Sequence, residues 1–136
     1  MILLLWTAVC FALLVVDWCC WAPNRLDADM ASEQLLANLL AQEGSVMSTN
    51  WYYSTELRVL NTQLVMAPLF RLFTSWHTVR VVGSVVLILL YLAAWFWFGR
   101  SAKLKYCSLL GAGLLVLPYG ALYRQYVLEG LYYIPH

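Results

Sequence analysis

Charge is scarce in this sequence, and it is divided almost evenly between the two signs. Eight Lys and Arg stand against seven Asp and Glu, so the net charge is +1 and the charged fraction is only 11%. The basic residues are scattered along the chain and do not gather into one face, so the electrostatic footprint of a nucleic-acid-binding protein is missing. We therefore exclude nucleic acid as a partner.

Histidine and cysteine, the residues that most often bind transition metals, are also scarce. The chain has two His and four Cys, and Cys10, Cys19, Cys20 and Cys107 all lie within or beside apolar segments. None of them has the spacing of a metal-ligand set or of a disulfide framework. The sequence therefore predicts no metal site built from cysteine or histidine, and we interpret the cysteines as small apolar residues.

Apolar residues are abundant, because 63% of the chain is hydrophobic, 15% is aromatic and the mean hydropathy is +0.72. Such a composition is typical of membrane proteins. Three stretches approach the roughly 20 apolar residues that cross a bilayer. The sequence predicts an all-α polytopic membrane protein with about three transmembrane helices, at 1–22, 79–99 and 106–123.

The basic residues indicate the orientation of these spans. The short connection 100–105 contains Arg100, Lys103 and Lys105, whereas the segment from Asp17 to Arg80 contains four Arg and six acids. By the positive-inside rule the short connection is cytoplasmic. We expect an integral protein of a bacterial cytoplasmic membrane, with loop 23–78 on the extracytoplasmic side and an outer segment at 124–136.

The outer loop 23–78 is too long for a simple connection, and long loops of this kind are usually functional. Ser32 is predicted to open a helix that carries four leucines at helical spacing, and Gly44 is predicted to close it. A second amphipathic pattern covers Thr55 to Phe73. Both patterns predict helices that lie in the plane of the membrane interface.

Asp27 and Asp29 lie at the outer exit of the first apolar run, just before a predicted helix. Acids at such positions often cap the helix and complement its dipole. A carboxylate at a membrane-facing cleft is also suited to act as a general base or as one ligand of a divalent metal. The spacing leaves both interpretations open.

The order of these features resembles a known family of membrane enzymes. An acidic motif at Asp27 and Glu33 follows the first span, the stretch Pro68 to Phe73 matches an interfacial helix, and Trp76 to Val85 carries an Arg into the next span. This arrangement is similar to the N-terminal portion of GT-C fold glycosyltransferases, such as mannosyltransferases and aminoarabinose transferases, which use sugars linked to polyprenyl phosphate. The resemblance covers most of the chain.

The resemblance implies a role for five residues. Asp27, with Asp29 second, would be the catalytic carboxylate that deprotonates the acceptor hydroxyl or helps to hold a divalent metal, Mg or Mn, depending on the member. Arg58 and Arg80, together with Glu33, would meet the substrate and its lipid phosphate, since the planar guanidinium suits phosphate oxygens. Two simpler interpretations stay open, namely arginines that snorkel to headgroups and a Glu33 that is a helix-surface acid.

Members of that family have many more membrane helices than three. We therefore expect this chain to be part of a larger enzyme, inactive alone, with the remaining helices supplied by the same or a partner chain. The alternative is a small integral membrane accessory protein without catalysis, whose Gly111 and Gly113 face would bind partner helices. A transporter is disfavoured because the spans contain almost no ionisable residue apart from Asp17.

Overall fold

The computed structural model describes residues 2–53 and 62–129, and every regular element in these two ranges is helical. The predicted all-α fold is therefore confirmed for this part of the chain. The elements are α1 (Ile2–Trp21), a 3₁₀ turn (Ala22–Arg25), α2 (Ala28–Glu43), α3 (Thr62–Phe70), α4 (Trp76–Ser101), α5 (Lys105–Val116), α6 (Ala121–Tyr123) and a π-helical turn (Arg124–Glu129).

Helices α1 and α4 are long and apolar enough to cross a membrane, as judged by length and composition. They contain 20 and 26 residues, which correspond to about 30 and 39 Å at a rise of 1.5 Å per residue. Only 22% and 28% of their most apolar stretches are buried within the protein. The core helix of a soluble protein would be mostly buried, whereas fewer than a third of the residues in these two stretches are.

The third predicted span is not confirmed as a continuous helix. Helix α5 has 12 residues, about 18 Å, and the chain is non-helical from Leu117 to Gly120. Pro118 explains the break, because a proline disfavours the α conformation at the residue before it, and Leu117 has φ −74° and ψ 121°. The Tyr123 hydroxyl donates to the Leu115 carbonyl at 2.6 Å and so satisfies one acceptor at the end of α5.

Helix α5 runs beside α1 in the same direction. The Thr7 hydroxyl donates to the Leu109 carbonyl at 2.8 Å, and further along both segments the Asp17 carboxylate meets Arg124. The segment that follows α4 thus returns from the Thr7 end of α1 to its Asp17 end, with a break in its helix on the way.

Two clusters of buried residues hold the helices together. The larger joins α1, α4 and α5, and its fully buried members include Leu14, Trp18, Ile88, Ala112 and Val116. The smaller joins α2, α3 and α4 through Ala37, Met66 and Val79. Because α4 belongs to both clusters, it fixes the α2 and α3 pair at its Trp76 end.

Helices α2 and α3 differ in their bounds from the sequence prediction. Gly44 closes α2 in the left-handed conformation, with φ 68°, as predicted. The helix begins at Ala28, however, because Asp27 and not Ser32 occupies its N-cap. Helix α3 ends at Phe70, before the predicted Phe73, and the first part of the second amphipathic pattern lies outside the described residues.

Glycines allow close packing between α5 and its two neighbours. A Cβ at Gly111 would lie 2.9 Å from the Trp95 ring, and one at Gly113 would lie 2.1 Å from Trp6 Nε1. The glycine face of α5, which the accessory-protein alternative assigned to a partner, is therefore occupied by α4 and α1 of the same chain.

Gly99→Ala is expected to destabilise the α4 and α5 hairpin. The new Cβ would lie 1.7 Å from Ser108 Oγ and 2.6 Å from Ser108 Cβ, so rotation of the serine alone does not relieve the clash. We expect the free energy of unfolding in mixed micelles, followed by SDS titration, to fall by about 1–3 kcal/mol.

Two matched variants test the cause of this loss. Gly120→Ala is expected to be nearly neutral, because the nearest atom lies 3.9 Å from its Cβ. Ser108→Gly should restore most of the stability of Gly99→Ala, since it removes both clashing atoms. Additive losses in the double variant would contradict this packing.

Candidate functional site

Asp27 caps helix α2 through its side chain. Its backbone is extended, with φ −96° and ψ 175°, and its Oδ1 accepts a hydrogen bond from the Met30 backbone N–H at 2.8 Å. The capping interpretation is thus confirmed, and it explains why the helix starts at Ala28. The carboxylate is half-buried at the junction of the 3₁₀ turn and α2. Its catalytic role stays a prediction.

Asp29 lies in the first turn of α2 and is exposed. Its carboxylate is near the positive end of the helix dipole, an arrangement that stabilises the helix. Its backbone carbonyl accepts a hydrogen bond from the Ser32 hydroxyl at 2.8 Å, so Ser32 bonds within the helix instead of starting it.

Glu33 connects α2 to α3. Its Oε2 accepts a hydrogen bond from the hydroxyl of Thr62 at 2.7 Å, and Thr62 is almost fully buried. A charged acceptor gives a stronger hydrogen bond than a neutral one. Glu33 is therefore more than a solvated acid on a helix surface.

Arg80 is buried, with only 5% of its surface exposed. Its Nη1 donates to the Ala22 carbonyl at 3.1 Å, and its Nη2 lies 2.9 Å from Met30 Sδ. The guanidinium thus joins α4 to the 3₁₀ turn and to the first turn of α2, and it does not snorkel outward. Arg58, the other predicted phosphate contact, lies outside the described residues.

Asp17, Arg25 and Arg124 form an ion-pair cluster that was not predicted from the sequence, here called the Asp17 cluster. Arg25 Nη2 lies 2.5 Å from Asp17 Oδ2, and Arg124 Nη1 lies 3.0 Å from Asp17 Oδ1. The Asp17 side chain is only 7% exposed, whereas the two arginines are 23% and 27% exposed. The sequence did contain an indication of such a cluster, since Asp17 is a single acid within an apolar run. An acid in that environment requires a partner of opposite charge.

The Asp17 cluster, Arg80 and Asp27 lie at the same end of α1. Arg80 bonds to Ala22, which begins the 3₁₀ turn that ends at Arg25, and it also contacts Met30, whose N–H is bound by Asp27. Two of the three guanidinium groups contact the Asp17 carboxylate, and the third shares Met30 with the Asp27 cap at the positive N-terminus of α2. Such a region is suited to an anionic group held next to a carboxylate.

The same residues do not form a metal-binding set. Within 2–53 and 62–129, no three His, Cys, Asp or Glu side chains come together as metal ligands would. The part of the chain that the structure describes therefore offers no ligand set for a divalent metal at Asp27.

Glu43 organises the turn that follows α2. Its Oε1 accepts hydrogen bonds from Asn50 Nδ2 and Ser48 Oγ, each at 2.9 Å. These bonds, first from Asn50 and then from Ser48, lower the pKa of the Glu43 carboxyl below its usual value. The turn is also closed by the Ser48 N–H, which donates to the Tyr53 hydroxyl at 2.8 Å.

Asn50→Ala is expected to raise the pKa of Glu43 towards that of a free glutamate. In the parent chain the hydrogen bonds to the ionised Glu43 carboxylate stabilise the folded state. Because they lower the pKa of Glu43 on folding, this stabilisation is complete at a pH above the unfolded pKa of about 4.3. It is lost as the pH falls through the lowered folded value. Carboxyl NMR titration of the two forms measures the change. An unchanged titration in Asn50→Ala would show that the bond does not act on Glu43.

No protein-family model, curated protein or solved structure matches the chain. The resemblance to GT-C glycosyltransferases therefore stays a prediction.

Proposed function

We propose that this chain forms the acidic side of a membrane glycosyltransferase site that uses a sugar linked to polyprenyl phosphate. The protein lies in a bacterial cytoplasmic membrane, with segment 23–78 on the extracytoplasmic side. Asp27 is the base that accepts a proton from the acceptor hydroxyl. The remaining walls of the site come from further membrane helices of the same or a partner chain.

One observation supports this proposal above the others, namely the carboxylate of Asp27 at an arginine-rich end of two long apolar helices. About a quarter of each of the Arg25 and Arg124 side chains is exposed, so an anion at the membrane surface can approach this end of α1. Arg80 is buried beneath the start of α2, so we assign it the positioning of Asp27 and not contact with phosphate.

The chemistry follows from this arrangement of charge. The acceptor hydroxyl gives its proton to the Asp27 carboxylate as its oxygen forms a bond to the anomeric carbon of the sugar. The bond between that carbon and the lipid phosphate breaks, and the phosphate leaves with the electron pair. Arg25 and Arg124 stabilise the negative charge that develops on the phosphate.

The membrane location is supported by the exposed apolar surface of the two long helices. Leu4, Leu5 and Leu13 on α1 and Leu89 and Leu90 on α4 are each at least half exposed. Aromatic side chains lie near the ends of these helices, with Trp21 on α1 and Trp76, Trp97 and Phe98 on α4. This distribution is typical of an apolar band between two interfacial belts.

Asp27→Asn tests the proposal because it removes the base but keeps a good N-cap. The assay measures sugar transfer from polyprenyl-phosphate-linked donors in membranes that contain the chain with its genomic neighbours. We expect transfer to fall by about 10²–10⁴-fold, the usual contribution of a general base. The unfolding midpoint should change little.

The proposal assigns the base to Asp27 alone, so Asp29→Asn, which removes an exposed carboxylate only two residues away, is the matched control. We expect it to retain transfer activity. If Asp27→Asn transfers sugar as fast as the parent, Asp27 is only a helix cap and the accessory-protein alternative becomes the better account. That alternative has one observation against it, because the glycine face it requires is packed within the chain.

A further inference from the structure

A shallow groove lies on α2, well away from Asp27. It has a volume of about 370 Å³ and is open to solvent, so a ligand there would stay partly exposed. Its nearest residue on α2 is eight positions beyond Asp27, which corresponds to about 12 Å along the helix. We call it the Trp51 groove, and it is lined by Leu35, Asn38, Leu39, Gln42, Asn50 and Trp51.

The aromatic wall of the Trp51 groove is held in place by its neighbours. Asn50, the residue before Trp51, donates its side-chain amide to Glu43 at 2.9 Å and its backbone N–H to Ser48 Oγ at 3.1 Å. The turn is therefore tied to the end of α2 on the same side as the groove. A wall fixed before a ligand arrives reduces the entropy lost on binding.

The polar side of the groove consists of amides. Asn38 and Gln42 are one helical turn apart on α2, and neither makes a side-chain hydrogen bond within the ranges that the structure describes. Each amide offers two N–H donors and one carbonyl acceptor. Together with Asn50, they give the groove several donors and acceptors next to an indole ring.

The chemistry of the lining selects the class of ligand. Among the residues that the structure describes, none that lines the groove is charged, so none of them offers a counter-charge to a phosphate or a carboxylate. A purely apolar ligand would cover the amides without replacing their hydrogen bonds to water, which is costly. A sugar ring has both a flat face of C–H groups, which packs on an indole, and hydroxyls that give and accept hydrogen bonds.

We propose that the Trp51 groove binds a neutral pyranose ring. The C–H face of the sugar packs on the Trp51 indole, and its hydroxyls bond to the amides of Asn38, Gln42 and Asn50. This site is distinct from the proposed transfer site and does not require its activity. It is expected to bind in Asp27→Asn as in the parent chain.

The experiment is a titration of the whole chain, labelled with 5-fluorotryptophan and held in phosphocholine micelles to avoid sugar-based detergents. Trp51→Phe assigns the Trp51 signal among the seven tryptophans. Methyl glucoside, methyl mannoside, methyl galactoside and maltose are the probes. We expect at least one of them to shift the Trp51 signal saturably at millimolar concentration, while adenosine does not.

Trp51→Ala is expected to weaken binding by about tenfold, as judged by the remaining fluorotryptophan signals and by saturation-transfer NMR on the sugar. The double change Asn38→Ala and Gln42→Ala tests the amides without touching the turn, and it should weaken binding similarly. Tyr52→Ala is the matched control, because Tyr52 is 95% exposed and does not line the groove.

Three outcomes would overturn the proposal. One is the absence of a saturable shift with every sugar. A second is an equal loss of binding in Tyr52→Ala. The third is a Trp51 signal that responds to lipid vesicles or to adenosine but not to sugars, which would make Trp51 an interfacial anchor or a nucleobase platform.

Discussion

Asp17→Ala is expected to lower the free energy of unfolding by about 2–4 kcal/mol. The substitution leaves two guanidinium groups without the carboxylate that both of them contact, and uncompensated buried charge is strongly destabilising. About a quarter of each arginine side chain is exposed, so we place the loss somewhat below that of a fully buried pair. The measurement is unfolding by SDS titration in mixed micelles.

The region that Asp17→Ala loosens is as informative as the size of the loss in stability. Arg124 follows the break at Leu117–Gly120, so the ion pair with Asp17 ties the last helical turns to α1. Hydrogen exchange should therefore quicken in Arg124–Glu129 more than in α2. Asp29→Asn, an exposed acid, should change stability by less than about 0.5 kcal/mol. Equal stability of Asp17→Ala and Asp29→Asn would contradict the cluster.

Arg80→Lys is expected to loosen α2 even though it keeps the positive charge. One guanidinium contacts both the Ala22 carbonyl and Met30 Sδ, whereas a lysine ammonium is a compact point charge that cannot reproduce this fork. We expect a loss of about 2 kcal/mol, typical of hydrogen bonds from charged donors in a buried site. Amide exchange at the start of α2 should quicken as well.

Arg71→Lys is the matched control for this substitution. Arg71 also donates to a carbonyl of α2, from its Nε to Ala41 at 3.3 Å, but this bond is exposed. Its replacement should cost less than about 0.5 kcal/mol. If Arg80→Lys behaves like Arg71→Lys, then Arg80 does not position the first turn of α2, and its assigned part in holding Asp27 is wrong.

Much of the fold could be predicted from the sequence, because local rules determine it. Apolar length indicated α1 and α4, and Gly44 indicated the end of α2, since its left-handed conformation suits glycine. The break in the third segment was not predicted, because the apolar length of 106–123 does not show whether its helix continues through Pro118. The structure has a full interruption of the helix there.

The candidate site was less accessible to sequence reasoning, because its contacts join residues that are far apart in the chain. Asp17 and Arg124 are 107 positions apart, and Arg80 bonds to Ala22 across 58 positions. No local pattern pairs them, and only packing of α1 against α4 and α5 brings them together. Asp27, by contrast, caps α2 by accepting a hydrogen bond from Met30, only three residues further along the chain. Capping was one of the two interpretations that the sequence left open.

The most direct test of the account is the position of the two ends of the helix bundle relative to the membrane. The four cysteines are replaced by alanine, and single labelling sites are then introduced as Asp29→Cys or Ala102→Cys, both at exposed positions. Right-side-out vesicles are treated with a membrane-impermeant maleimide. We expect labelling of the Asp29→Cys protein at once and of the Ala102→Cys protein only after permeabilisation. Labelling of both from outside, or the reverse order, would contradict the proposal that Asp27 faces the extracytoplasmic side.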